Sequence, residues 1–355
     1  MKAWVLHGIN DLRYETVGTP TVSAHEVLVS VKAAGICGSD VPRIYQTGAH
    51  VHPLIPGHEF AGVVTGIGAD VDKTWMGVRV GVFPLIPCNA CTPCKKKQYE
   101  MCRNYNYLGS RRDGGFAEYV AFPEKNLIAL PDNVSYEEAA MLEPMAVAVH
   151  AMRRINPNTT DVVTVCGLGT IGLLLVMFLK EAGVQNILVI GNKDFQKHMA
   201  LSMGISDENY CDSKTCDVKT WIADRTDGNG TDVFFECVGK NDTFTQAVNC
   251  TAAAGKICLV GNPYSDMSLE KSIYWKILRN QLFVTGTWNS SFTNSRDDDW
   301  HYVLERLESK RIEPSKLISH HLALEELEQG LHIMRDKTED YIKIKIYPSQ
   351  TDTQS

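Results

Sequence analysis

The sequence predicts a two-domain α/β protein: a β-rich domain, then a doubly wound parallel sheet, with the end of the chain returning to the first domain. Three observations carry this. Residues 26–122 hold several segments that alternate apolar and polar side chains, with glycines at the bends. Residues 161–287 alternate wholly apolar runs with helical ones, the rhythm of βαβ units. Residues 341–347 (YIKIKIY) return to strict alternation. A chain of 355 residues has room for two domains with large cores. The expected division is 1–150, 151–288 and a returning segment 289–355.

The elements follow in order. Residues 26–33 (EVLVSVKA) read as a half-buried strand, and 62–68, 78–82 and 116–122 as its neighbours. Ser135 and Glu138 have the spacing of a capping box that opens a helix. Residues 161–166 form an apolar run suited to a strand buried on both faces, and 187–190, 233–237 and 256–260 are the next strands. Residues 162–179 carry no charge and are long enough to span a bilayer. Gly167, Gly169 and Gly172 within them fit a strand and a buried helix better. No internal repeat is evident, and residues 350–355 are expected to fray.

The formal net charge is -7 and the sequence pI about 5.9, which speaks against a phosphate-neutralising, nucleic-acid-binding face. The first residues lack the apolar core of a secretory signal, and no membrane association is expected. Eleven cysteines, an odd number in a long chain, do not suggest a disulfide framework. The expected compartment is the reducing cytoplasm.

Four of the cysteines, Cys88, Cys91, Cys94 and Cys102, stand as C-x2-C-x2-C-x7-C. Thiolates are soft ligands, and four of them suit a closed tetrahedral zinc site with no position left for substrate. The lysines at 95, 96 and 97 offset the thiolate charge. Such a site is structural.

Cys37, His58 and Glu143 each end an apolar segment, where a loop can present them to a cleft. One thiolate, one imidazole and one carboxylate would leave zinc an open fourth position, the form of a catalytic site. Each of these residue types is more often structural, so spacing by itself leaves both readings open.

Gly167-Leu168-Gly169-Thr170-Ile171-Gly172 follows a strand and opens a helix, the context in which this glycine pattern binds a dinucleotide pyrophosphate. An acid that would hold the ribose 2′-hydroxyl is expected at the end of the next strand. Gly191 stands there instead, followed by Asn192 and Lys193. A carboxylate about 4 Å from a 2′-phosphate would repel it by several kcal/mol at an effective dielectric near 20. Its absence and the added Lys193 favour NADP over NAD. The other reading has Lys193 solvated and Asn192 on the ribose of NAD.

Taken together, Cys37-Gly38-Ser39-Asp40, Gly57-His58-Glu59-Phe60, the cysteine lobe 88–102, Gly114-Gly115-Phe116-Ala117-Glu118-Tyr119, Leu142-Glu143-Pro144 and Gly167–Gly172 resemble the zinc-dependent medium-chain alcohol and polyol dehydrogenases over nearly the whole chain. The resemblance implies a GroES-like catalytic domain and a Rossmann domain. It implies a catalytic zinc on Cys37, His58 and Glu143, with Glu59 behind them or exchanging as a ligand, and a second zinc on the four cysteines. It also implies a homodimer or homotetramer joined through the edge strand near residues 281–286.

The expected reaction interconverts a sugar-alcohol phosphate and a ketose phosphate. Zinc would lower the pKa of the substrate hydroxyl, Ser39 would take its proton, and nicotinamide would accept the hydride. His50 is either the next proton carrier or a surface residue. Arg43, Arg111 and Arg112 could hold the substrate phosphate or be solvated loop charges. Trp288 and Asn289 could line the substrate cleft. Two rival readings are a dehydrogenase of a free polyol or simple secondary alcohol, and a non-catalytic nucleotide-binding protein on the same fold.

Overall fold

The alternating segment that begins at residue 26 is the strand Glu26–Gly35, in which every second side chain from Val27 is buried. A computed structural model describes residues 1–263 and 265–348; the tail expected to fray, 350–355, lies outside the described residues. The chain divides after Glu143 and after Ser290: one compact unit joins residues 1–143 to the segment from Ser291, and the other is Pro144–Ser290.

In the first unit Glu26–Gly35 runs through the middle of a mixed sheet. Glu59–Ile67 pairs with it antiparallel, and Arg79–Val82 and Leu127–Ala129 follow. Tyr119–Pro123 also pairs with Glu26–Gly35. On the other side the strand Lys343–Tyr347 pairs antiparallel with it, through Lys345 opposite Gly35 and Ile346 opposite Ala34. The end of the chain thus completes the first unit's sheet. Lys343, Ile344, Lys345 and Ile346 are all buried in it. Ser135 does form a full capping box with Glu138, but the helix it opens, Tyr136–Ala139, lasts one turn before Leu142–Ile155 begins.

The second unit is a six-stranded, wholly parallel sheet. Its spatial order is Tyr210–Asp212, Asn186–Gly191, Val162–Cys166, Thr231–Glu236, Thr251–Leu259 and Phe283–Gly286. Strand order reverses between Val162–Cys166 and Thr231–Glu236, the switch point where such sheets bind nucleotides. The uncharged run 162–179 is the central strand plus most of the helix Thr170–Glu181. Among the described residues no helix is long and apolar enough to cross a membrane.

Candidate metal centres and nucleotide site

Gly35 pairs with Glu59 across two central strands, and this register sets the first cluster. Cys37 follows one strand; His58 immediately precedes the other. The Cys37 amide donates to Asp40 Oδ2 at 3.0 Å, closing the turn. The Ser39 hydroxyl donates to Cys37 Sγ at 3.3 Å. Ligand atoms of Cys37, His58 and Glu59 all lie within 4.8 Å of one another.

Glu143, in the first turn of Leu142–Ile155, is buried close by but stands outside that mutual set. The sequence reading places Glu143 with Cys37 and His58 and gives Glu59 as their neighbour or an exchanging ligand; in the structure Glu59 belongs to the mutual set and Glu143 lies just outside it. The reason is geometric. Strand pairing delivers Glu59 directly, whereas Glu143 Oε1 accepts a hydrogen bond from the Tyr107 hydroxyl at 3.4 Å.

Charges behind the cluster hold it in place. His58 Nδ1 lies 3.5 Å from Asp40 Oδ1, and the same oxygen takes Arg43 Nη1 at 2.7 Å. Burial opposes a charged His58, but the Cys37 sulfur and the Asp40 carboxylate outweigh it and raise its pKa well above the usual range. Burial pushes the Glu143 carboxyl up to about 7; the His58 charge opposes the shift and Glu59 adds to it. Glu59 forms a buried ion pair with Lys343, whose Nζ also donates to the Ile36 carbonyl at 2.9 Å. Asp40, Tyr107 and Lys343 were not singled out from sequence. Asp40 lies inside the quoted Cys-Gly-Ser-Asp motif, and Lys343 showed only as a lysine in an alternating strand. Tyr107 gave no signal.

A sulfur, an imidazole nitrogen and carboxylate oxygens converging in a buried place match zinc chemistry and not that of magnesium or calcium, which prefer oxygen alone. The donor set therefore fits zinc.

The second cluster is the lobe holding Cys88, Cys91, Cys94 and Cys102, whose sulfurs also lie within 4.8 Å of one another. The separations are 3.4 Å for Cys91–Cys94, 3.9 Å for Cys91–Cys102 and 4.0 Å for Cys88–Cys94. A tetrahedron with zinc–sulfur bonds of about 2.3 Å has edges of about 3.8 Å, so the four thiols already have that spacing. Backbone amides of Arg103 and Cys94 draw the Cys91 thiol down to about 6, favouring thiolate.

In the second unit each glycine of the pattern has its own reason. Gly167 has φ of +95°, and a Cβ there would meet Val238 at 2.6 Å. A Cβ at Gly172 would strike the Gly167 carbonyl oxygen at 1.9 Å. Gly169 has nothing within 4 Å, leaving open backbone just before the helix Thr170–Glu181, whose first residues are Thr170 and Ile171. Gly191 ends its strand, and a Cβ there would press Leu168 and Tyr210 at 3.1 Å. Asn192 is exposed. Lys193 precedes the helix Asp194–Ser202, with Nζ 5.4 Å from the centre of the Phe195 ring.

The proposed substrate residues separate. The positive charges of Arg111 and Arg43, after burial, lower the pKa of His50, so these three lie near one another. The Arg111 guanidinium sits 4.7 Å from the Tyr105 ring centre, and its buried Nε makes no hydrogen bond among the described residues. Arg43 is held by Asp40. Arg112 is turned away: it pairs with Glu26 and donates to the Ala121 carbonyl at 2.9 Å. Trp288 is exposed and Asn289 has φ of +52°, both at the end of the second unit.

A parallel sheet with a phosphate-binding glycine turn, in one chain with a thiolate–imidazole–carboxylate centre, defines a metal-dependent oxidoreductase that uses a nucleotide. The profile described as "Alcohol dehydrogenase GroES-like domain" matches residues 23–132, and that described as "Zinc-binding dehydrogenase" matches residues 170–309. Galactitol 1-phosphate 5-dehydrogenase of Escherichia coli (strain K12) is 32% identical over 307 residues, covering 86% of this chain and 88% of that protein. L-idonate 5-dehydrogenase of Vitis vinifera is 34% identical over 328 residues, covering 90% and 87%. The crystal structure of galactitol-1-phosphate dehydrogenase from Escherichia coli superposes with a TM-score of 0.90 at 30% identity, over 98% of this chain and 100% of that one. Two further structures, each with a TM-score of 0.89 at 27% identity over 98% of this chain and 99% of theirs, contain cofactor. One is a zinc-binding dehydrogenase from Sinorhizobium meliloti 1021 bound to NADP; the other is a short chain alcohol dehydrogenase from E. coli CFT073 with NADH. The chain belongs to the zinc-dependent medium-chain alcohol and polyol dehydrogenases. It is an oxidoreductase that works with zinc and a nicotinamide cofactor.

Proposed function

We propose that the protein oxidises a secondary hydroxyl of a sugar-alcohol phosphate to the ketose phosphate, and runs the reverse reaction, with NADP preferred to NAD. The observation that carries the phosphate reading is the buried Arg111 Nε, which makes no hydrogen bond among the described residues, on a side chain whose charge, like that of Arg43, acts on His50. A guanidinium fork is the donor best matched to phosphate oxygens. The likeness to galactitol 1-phosphate dehydrogenases over most of both chains supports it.

Cys37, His58 and one of Glu59 or Glu143 would hold the catalytic zinc, and the four lobe cysteines a second, structural one. When bound, zinc supplies Lewis acidity toward the substrate hydroxyl, and nicotinamide supplies the hydride acceptor. Asp40 orients His58, and Lys343 orients Glu59. The Ser39 hydroxyl, next to Cys37 Sγ, takes the departing proton. Gly167, Gly169 and Gly172 let the backbone reach a pyrophosphate. Gly191 leaves no carboxylate against a 2′-phosphate, and Lys193 offers it a cation.

We also propose a homodimer joined through the edge strand Phe283–Gly286. Phe283 is exposed there, and the helix Lys271–Arg279 exposes Tyr274, Trp275 and Leu278. A second copy supplies the apolar cover these side chains lack, and sedimentation should show Phe283→Asp as a monomer.

A second reading, a free polyol or sugar acid as substrate, is favoured by the 34% identity to L-idonate 5-dehydrogenase. Initial rates on galactitol 1-phosphate, galactitol, sorbitol and L-idonate, each with NAD and NADP, separate the two. The phosphate reading expects kcat/KM at least ~100-fold higher for the phosphorylated polyol, about 2.7 kcal/mol in the transition state. Equal values, or a preference for L-idonate, overturn it.

A further inference from the structure

Two buried carboxylates, Glu59 and Glu143, lie close to Cys37 and His58, and each has its own restraint. Glu59 is held by the charged Lys343. Glu143 is held by the neutral hydroxyl of Tyr107, at the long distance of 3.4 Å. We propose that Tyr107 is a positioning residue: its hydroxyl draws Glu143 away from Cys37, His58 and Glu59, and so sets which carboxylate completes the zinc ligands.

The surroundings of Tyr107 suit this role. It lies in the short strand Asn106–Tyr107, paired with Leu85–Ile86, just past the last cysteine of the four-thiol lobe. The Leu108 amide donates to the Pro84 carbonyl at 3.0 Å, which fixes the backbone behind the ring. The ring packs 5.7 Å from the His58 ring and 6.1 Å from the Tyr105 ring. The phenol is thus steered from two sides toward Glu143. A long bond from a neutral donor is also one the carboxylate can leave, whereas Glu59 would have to abandon a buried ion pair. Tyr107 therefore acts as a releasable catch on Glu143.

The inference rests on the metal being at Cys37 and His58. Cobalt(II) in place of zinc reports ligand identity through its visible absorption, independently of turnover. Tyr107→Phe should shift the visible bands of the cobalt enzyme and slow removal of that metal by a chelator about 5-fold, because Glu143 is free to join the ligand set. Glu143→Gln should abolish both effects of Tyr107→Phe. Glu143→Asp, which shortens the acid and breaks the same bond from the other side, should also shift the bands and serves if Tyr107→Phe does not fold. Cys37→Ser is the control for the metal's place. If Cys37→Ser leaves the spectrum unchanged, the metal assignment falls and this inference with it. If Cys37→Ser alters the spectrum while Tyr107→Phe and Glu143→Asp do not, the role of Tyr107 alone is overturned.

Discussion

Arg112 closes on Glu26 through an Nη2–Oε1 contact of 2.6 Å, while its neighbour Arg111 keeps a buried Nε that makes no hydrogen bond among the described residues. Adjacent residues of the same type therefore have different work. Arg112 ties the loop before Gly114 to the strand Glu26–Gly35; Arg111 lies against the Tyr105 ring, and the proposed phosphate contact rests on it.

Exchanging each arginine for alanine should separate the two roles. Arg111→Ala is expected to lower kcat/KM for a phosphorylated polyol about 100-fold and for the free polyol less than about 3-fold. Arg112→Ala should leave that ratio intact and lower the melting temperature. Steady-state kinetics on both substrates and a thermal melt check this, and a collapse of the ratio in Arg112→Ala would reverse the assignment.

The lobe cysteines make a prediction about metal content. With sulfurs already at near-tetrahedral spacing, Cys94→Ser should lose one zinc equivalent of two per chain, measured by atomic absorption. Melting should fall by several degrees, because binding to such a site is part of the folding free energy. Retention of both equivalents would remove zinc from the lobe.

Cofactor choice can be read at one side chain. Lys193→Ala should raise KM for NADP about 10-fold, a loss of about 1.4 kcal/mol, and leave KM for NAD within about 2-fold. A parallel rise for both cofactors would mean that Lys193 does not meet a 2′-phosphate. Gly191 is the less clean position to alter, because any side chain there must push Leu168 and Tyr210.

What the sequence disclosed follows the range of the interactions. The cysteine lobe and the turn Gly167–Gly172 were legible because their geometry is set within a few residues by covalent spacing and backbone torsion. The parallel sheet was legible because its strands are apolar on both faces. The capping box at Ser135 was legible, but the end of its helix after one turn was not, since nothing local forbids a second turn. The placement of Glu59 follows from strand register and that of Glu143 from its bond to Tyr107, contacts between residues far apart in sequence. The returning strand was legible from its alternation, but the burial of Lys343 and Lys345 was not, because it depends on segments distant in sequence.

Lys345 supplies a pH-dependent prediction. Its side chain is fully buried, and Nζ makes no hydrogen bond among the described residues. Burial, and then the charge of Lys343, hold its pKa down to about 7, against the weaker pull of Glu59 and Glu137. In an unfolded chain the same amine titrates near 10.4. Between those two values the unfolded chain binds a proton that the folded one has released. The contribution of this group to stability therefore rises with pH across that window, and its cost is full below about pH 7. At about 1.36 kcal/mol per unit, that cost is on the order of 5 kcal/mol at most. Lys345→Met keeps the volume and removes the charge. It should melt above the unmodified protein near pH 6, and the gap should narrow steadily toward about pH 10. Thermal melts across that range check it, and a gap independent of pH would show that the Lys345 amine is solvated or paired in the folded protein.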